Sequence, residues 1–170
     1  MVGNQEADRL AKDGARGEAV ADDPPLVTIN TLKEAIGTTI KAKQQETWQH
    51  REDCATARRL WPVVDSKKTK QLLEHKKDLV RIIVGVVTGN CSTGVNLVRW
   101  KVSDDDYCRE CGEEEETIEH LLCHCPALEY RRIKTLGQGF LEGLEEAAEA
   151  NISDIGNFAK SWKCFNAKKE

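Results

Sequence analysis

The sequence predicts a mainly α-helical protein, a small helical domain with one zinc-knuckle-like site. Three observations lead there. Apolar residues recur at helical spacing through Leu32–Ile40, Leu72–Val87 and Ile155–Trp162. Only nine of 170 residues are aromatic, so any core is aliphatic and modest. Four cysteines and two histidines crowd between Cys108 and Cys125, a density of soft ligands that a packed core does not call for.

The length suits one domain with appendages, at about 100–200 residues per domain. Apolar residues make up 39% and charged residues 32%, which argues against disorder of the whole chain. A net charge of -4 excludes binding through bulk positive charge, yet the sum is uneven. Residues 51–81 hold nine basic and five acidic side chains, whereas 103–120 hold one and nine. No apolar run reaches membrane-spanning length and the first twenty residues do not read as a signal peptide, so the expectation is an intracellular protein, nuclear or cytoplasmic, with no membrane partner. In a reducing compartment seven cysteines, an odd number, are better read as metal ligands and free thiols than as a disulfide framework.

Taken in order, residues 3–15 predict a short helix with Asn4 as N-cap and Gly14 as stop. Asp8 there is most simply a solvated acid near a helix N-terminus. Residues 16–29 carry Pro24 and Pro25 without a helical period and read as a linker. Thr31 and Glu34 fit a capping box for a helix running to Trp48 and ending near His50. Trp61, beside Arg58 and Arg59, reads as a packing anchor ahead of a base-stacking surface. From Lys67 a seven-residue apolar repeat favours helix, broken around His75–Lys77. The β-branched run 82–87 leaves a strand open. Residues 88–94 supply turn chemistry before a short apolar segment ending at Trp100. Pro126 opens a helix to Leu136, 141–150 is helical and acidic, and Ser153 caps a last helix. The domain reading is 1–15, a linker at 16–29, a helical region at 30–136 with the metal motif at 103–126, and helices at 137–170.

Cys108 and Cys111 form a Cys-x2-Cys turn relieved by Gly112. Eight residues separate Cys111 from His120, against about twelve in a two-Cys, two-His finger, which weighs against that architecture. The expected set is Cys108, Cys111, His120 and Cys125 around a structural zinc, with Cys123 or His124 as alternatives to Cys125. Cys54, Cys91 and Cys164 stand apart.

Residues 3–11, Gly-Asn-Gln-Glu-Ala-Asp-Arg-Leu-Ala, resemble the last catalytic segment of type 1 ribonuclease H domains. The resemblance implies that residues 1–15 are the C-terminal helix of that α/β domain and that Asp8 is one of four carboxylates holding two magnesium ions. The other three are expected upstream of Met1, so magnesium belongs to the complete domain and this chain is expected not to be an enzyme on its own. The stretch from Cys108 to Leu128, with its Asp-Asp-Tyr lead-in, resembles the cysteine-histidine motif at the C-terminal end of insect non-LTR retrotransposon polyproteins, downstream of reverse transcriptase and ribonuclease H. That implies RNA or DNA, and the remainder of the polyprotein, as partners. Glu113–Glu116 would repel phosphate, so nucleic-acid contacts are expected from Arg58, Arg59, Lys67, Lys68, Lys70, Lys76, Lys77 and Arg81, or from Arg131, Arg132 and Lys134. The rival reading is an interaction or structural module whose acidic loop meets a basic partner.

Overall fold

The computed structural model describes residues 2–17 and 27–166, so most of the predicted linker lies outside the described residues. The architecture is mainly helical, with no strand among the described residues beyond one isolated antiparallel bridge, Tyr107 to Glu115. No described helix is long and apolar enough to cross a membrane. The chain divides into two units, Met1–Thr39 and Ile40–Glu170.

In the first unit, α1 spans Val2–Arg16. The helix is already under way at Asn4 and continues past Gly14, so neither is its terminus. Its described side chains are exposed, tied along the surface by Arg9 to Glu6 and Asp13 and by Lys12 to Asp8. Helix α2 spans Ile29–Gln49. Its start lies earlier than the Thr31 box: the Thr28 hydroxyl accepts the Thr31 N–H at 3.2 Å, and the Thr28 carbonyl begins the ladder at Leu32.

The second unit takes up the end of α2, where the Trp48 indole donates to the Trp61 carbonyl at 2.8 Å. Gln45 bonds Pro62 O and Val64 N, clipping the segment that follows α3 (Ala55–Leu60) onto α2. Trp61 is half-buried in that cluster, so it packs. Helices α4 (Ser66–Leu73) and α5 (Lys77–Thr88) break at Glu74–Lys76, with Asp65 capping α4. The β-branched run 82–87 is helical throughout. Ile83, Val86 and Val87 turn to one side of α5, and burying that stripe outweighs a propensity worth at most about 1 kcal/mol across the scale.

After α6 (Gly94–Arg99) comes an irregular stretch to a π-turn at His120–His124 and a 3-10 turn at Pro126–Leu128. Helix α7 (Glu129–Leu136) follows, closed by Gly137 at φ 82°. The predicted helix at 141–150 shrinks to α8, Leu144–Ala147. Helix α9 (Ile152–Ala159) is capped by Asn151, whose side chain accepts the Ser153 N–H at 2.9 Å. Ser153 instead bonds His75. Helix α10 (Lys163–Asn166) ends the described chain. Helices α5 and α9 pack so closely that a Cβ on Gly156 would meet Ile83 Cγ1 at 2.6 Å. The larger buried cluster, including Leu121, Leu122, Leu128, Phe158 and Trp162, closes around the cysteines.

Candidate metal centre

Two local turns bring the ligands together. In the first, the Gly112 N–H bonds back to Cys108 O at 2.7 Å, and Gly112 adopts φ 75°, the left-handed conformation that such a turn demands. In the second, the Cys125 N–H bonds His120 O at 2.7 Å. Residues five apart point about 140° away from each other on a regular α-helix. The wider π-turn brings His120 and Cys125 to the same side, a use of π geometry seen often at functional sites.

The donor atoms of Cys108, Cys111, His120 and Cys125 all lie within 4.8 Å of one another. Zinc bond lengths of about 2.3 Å to sulfur and 2.05 Å to nitrogen, at tetrahedral angles, require S to S near 3.8 Å and S to N near 3.6 Å. Cys108 Sγ stands 3.9 Å from Cys125 Sγ, and Cys111 Sγ 3.3 Å from His120 Nε2. Three sulfurs and one imidazole nitrogen at these separations fit a closed structural zinc site. Neither Cys123 nor His124 is in the cluster. Cys123 is buried among leucines, which pushes its thiol up to about 12, and His124 stacks on Phe140 at 5.1 Å.

The other ring nitrogen of His120 is also committed. Nδ1 lies 2.9 Å from Glu114 Oε2, which fixes Nδ1 as the protonated nitrogen and leaves the Nε2 lone pair facing the sulfurs. Burial pushes the Cys108 thiol up, and Cys125 up to about 12. Cys111 is also desolvated, but backbone N–H groups of Glu113 and Glu114 and the neighbouring thiols hold it below its usual value. A divalent cation must therefore displace protons on entering, and in return it neutralises thiolates crowded together.

Three charged side chains frame this centre. Glu116, 1% exposed, accepts the Gly94 N–H at 3.2 Å and the Arg109 N–H at 2.8 Å, and pairs with the Arg109 guanidinium. It ties the knuckle to the start of α6. Glu110 accepts the Lys163 N–H at 2.7 Å and so receives the start of α10. Arg132, expected as a nucleic-acid contact, is 1% exposed. It donates to the carbonyls of Leu122 at 2.8 Å, Gly139 at 2.5 Å, Cys125 at 3.0 Å and Leu121 at 3.3 Å, with its guanidinium over the Phe158 ring. The Leu121 and Leu122 carbonyls lie in the π-turn and that of Cys125, which also accepts the Leu128 N–H, directly follows it, so Arg132 fastens the ligand turn to the Gly139 loop. Only the opposite charges of Arg109 and Glu116 hinted at any of this.

The remaining expected contacts divide. Arg59 is bidentate with Glu119 and also bonds Glu145, bridging α3 to the ligand turn and α8. Arg58 donates to Asp53 O, Lys68 to Ala148 O and Arg131 to Ser161 O. Lys67, Lys70, Lys76, Lys77, Arg81 and Lys134 are exposed and make no ion pair among the described residues. Asp8 is exposed on α1 and paired with Lys12 at 3.0 Å.

A closed three-sulfur, one-nitrogen cluster built on local turns fits a structural zinc-binding module. Residues 56–130, which contain all four ligands, match the family described as zinc-binding in reverse transcriptase. That match, over less than half of the chain, and the ligand cluster within it support a zinc-binding module of the reverse-transcriptase-associated kind. No curated protein and no solved structure matches it.

Proposed function

We propose that this chain is a non-catalytic, nucleic-acid-binding part of a retrotransposon reverse transcriptase and ribonuclease H polyprotein of the non-LTR type, folded around a structural zinc. The observation that carries the binding is the row Lys67, Lys70, Lys76, Lys77 and Arg81 on and between α4 and α5, exposed and without ion pairs among the described residues, inside the matched segment. The zinc centre's part is to hold the helices together, since its coordination is closed and its loop is acidic. Asp8 alone cannot hold the two metal ions that hybrid cleavage needs, and magnesium enters only in a complete ribonuclease H domain.

The test is retention on single-stranded RNA and DNA as a function of salt. With up to five phosphate contacts the log–log slope reaches about -3.5, so affinity falls roughly 100-fold between 50 and 200 mM salt. Absence of binding at 50 mM salt overturns the reading. A second reading, a protein-interaction module, draws on Ile29, Leu32 and Ile36, which lie exposed along one face of α2. It predicts that Leu32→Glu abolishes association with the rest of the polyprotein and leaves nucleic-acid retention untouched.

A further inference from the structure

A polar crevice of about 450 Å³ opens between α3, α6 and the Thr117–Glu119 segment before the ligand turn. Two side chains lining it are largely buried but keep an oxygen open to the crevice. Thr93 is 2% exposed, and its hydroxyl makes no hydrogen bond among the described residues. Asn96 is 6% exposed, and its Nδ2 donates to Gly89 O at 2.7 Å and Cys91 O at 2.8 Å. Those two bonds fix the amide orientation, so Oδ1 is a preset acceptor with no protein partner among the described residues. Neither oxygen is sealed from solvent, so both present themselves to the crevice, and a few convergent polar groups in a cavity of ligand size orient a ligand.

The charges around the crevice narrow the ligand. Arg59 and Glu119 line it but neutralise each other, while Arg99 at the rim is exposed and unpaired among the described residues. Val95, Ile118 and Leu144 supply apolar wall. The ligand therefore presents N–H and hydrogen-bonding edge atoms to Asn96 and Thr93, a flat apolar face to the wall and one negative charge to Arg99. An unstacked nucleotide has these parts: a base edge of alternating donors and acceptors, and a phosphate about one sugar away.

We propose that this crevice is a subsite for one unstacked nucleotide of a single strand, with Asn96 and Thr93 on the base edge and Arg99 on its phosphate. The proposal rests on the nucleic-acid reading above. It adds a site distinct from the α4–α5 cations, which would track the backbone only.

The experiment uses the full-length, zinc-loaded chain and labelled 12-nucleotide homopolymers of dT, dA and dC, read by fluorescence anisotropy at several salt concentrations. Thr93→Val keeps the shape and removes the hydroxyl; it should weaken binding between about 2- and 10-fold at every salt with an unchanged slope. Arg99→Gln should lower the slope by about 0.7, one phosphate on a single strand. In parallel, the Asn96 side-chain amide and the Thr93 methyl of the wild-type chain should shift in NMR spectra on adding the single strand, and not on adding a duplex. If the wild type binds but Thr93→Val matches it and the two NMR signals stay still, the subsite is wrong while nucleic-acid binding stands. If the wild type binds no oligonucleotide at 50 mM salt, both fall.

Discussion

Arg132→Met removes a guanidinium whose hydrogen bonds end on the turn that carries two metal ligands. Of the three carbonyls at 3.0 Å or closer, that of Cys125 keeps the Leu128 N–H, while those of Gly139 and Leu122 lose the Arg132 donor. At about 1–3 kcal/mol for each unsatisfied group the gross loss is roughly 2–6 kcal/mol. Part returns, because the variant no longer desolvates a charge. That cost shows in the Arg132 guanidinium itself, whose pKa burial drives downward. The expected net is about 2–3 kcal/mol, large against a total stability of roughly 5–15 kcal/mol. In urea denaturation, with m of about 2 kcal/mol/M, the midpoint should fall by about 1 M. Because the Leu121, Leu122 and Cys125 carbonyls lie on the ligand turn, zinc affinity measured against a chelator should fall as well, by about 10-fold or more. Arg132→Lys should recover little, since one ammonium cannot span four carbonyls. A variant with wild-type midpoint and zinc affinity but a shallower salt dependence of nucleic-acid binding would refute the fastening role and restore Arg132 as a phosphate contact.

Other perturbations test the remaining contacts. Glu114→Gln keeps a hydrogen bond to His120 but loses the charge, and should lower zinc affinity by about 10-fold, with Glu114→Ala lower still; equal affinities would remove Glu114 from the centre. Gly156→Ala forces a Cβ into Ile83 and should cost about 1–3 kcal/mol by thermal or urea melting, an effect that Ile83→Val in the same chain should partly relieve. The Arg59 guanidinium holds the Glu119 carboxyl below its usual 4.5, so this pair adds stability above that pH and loses it as the pH falls through the lowered folded value. Arg59→Gln should therefore flatten the acid limb of the stability profile below about pH 4.5, and a profile that keeps its wild-type steepness would show the pair to be inert.

What the sequence revealed and what it concealed have a common cause. Cys108, Cys111, His120 and Cys125 were legible because ligand type and local spacing suffice to nominate them, and the turns that gather them are local. The break between α4 and α5 was legible for the same reason. The 82–87 run was ambiguous because its β-branched residues suit either element; the helical outcome depends on α9, some seventy residues away, receiving the Ile83 stripe. Arg132 and Glu116 read as solvent charges because nothing nearby in sequence announces the carbonyls and N–H groups that surround them.

That concealment bears on the acidic loop. Taken as four like charges, Glu113–Glu116 argues only for repulsion. In the fold, Glu114 orients the imidazole and Glu116 locks Arg109 and the start of α6, so half of the loop is spent on building the knuckle. Glu113 and Glu115 remain exposed, and their negative charge disfavours phosphate at the knuckle. One short segment thus shapes the centre with two carboxylates and keeps the other two as exposed negative charge, whereas the exposed cations without ion pairs among the described residues include those of α4 and α5.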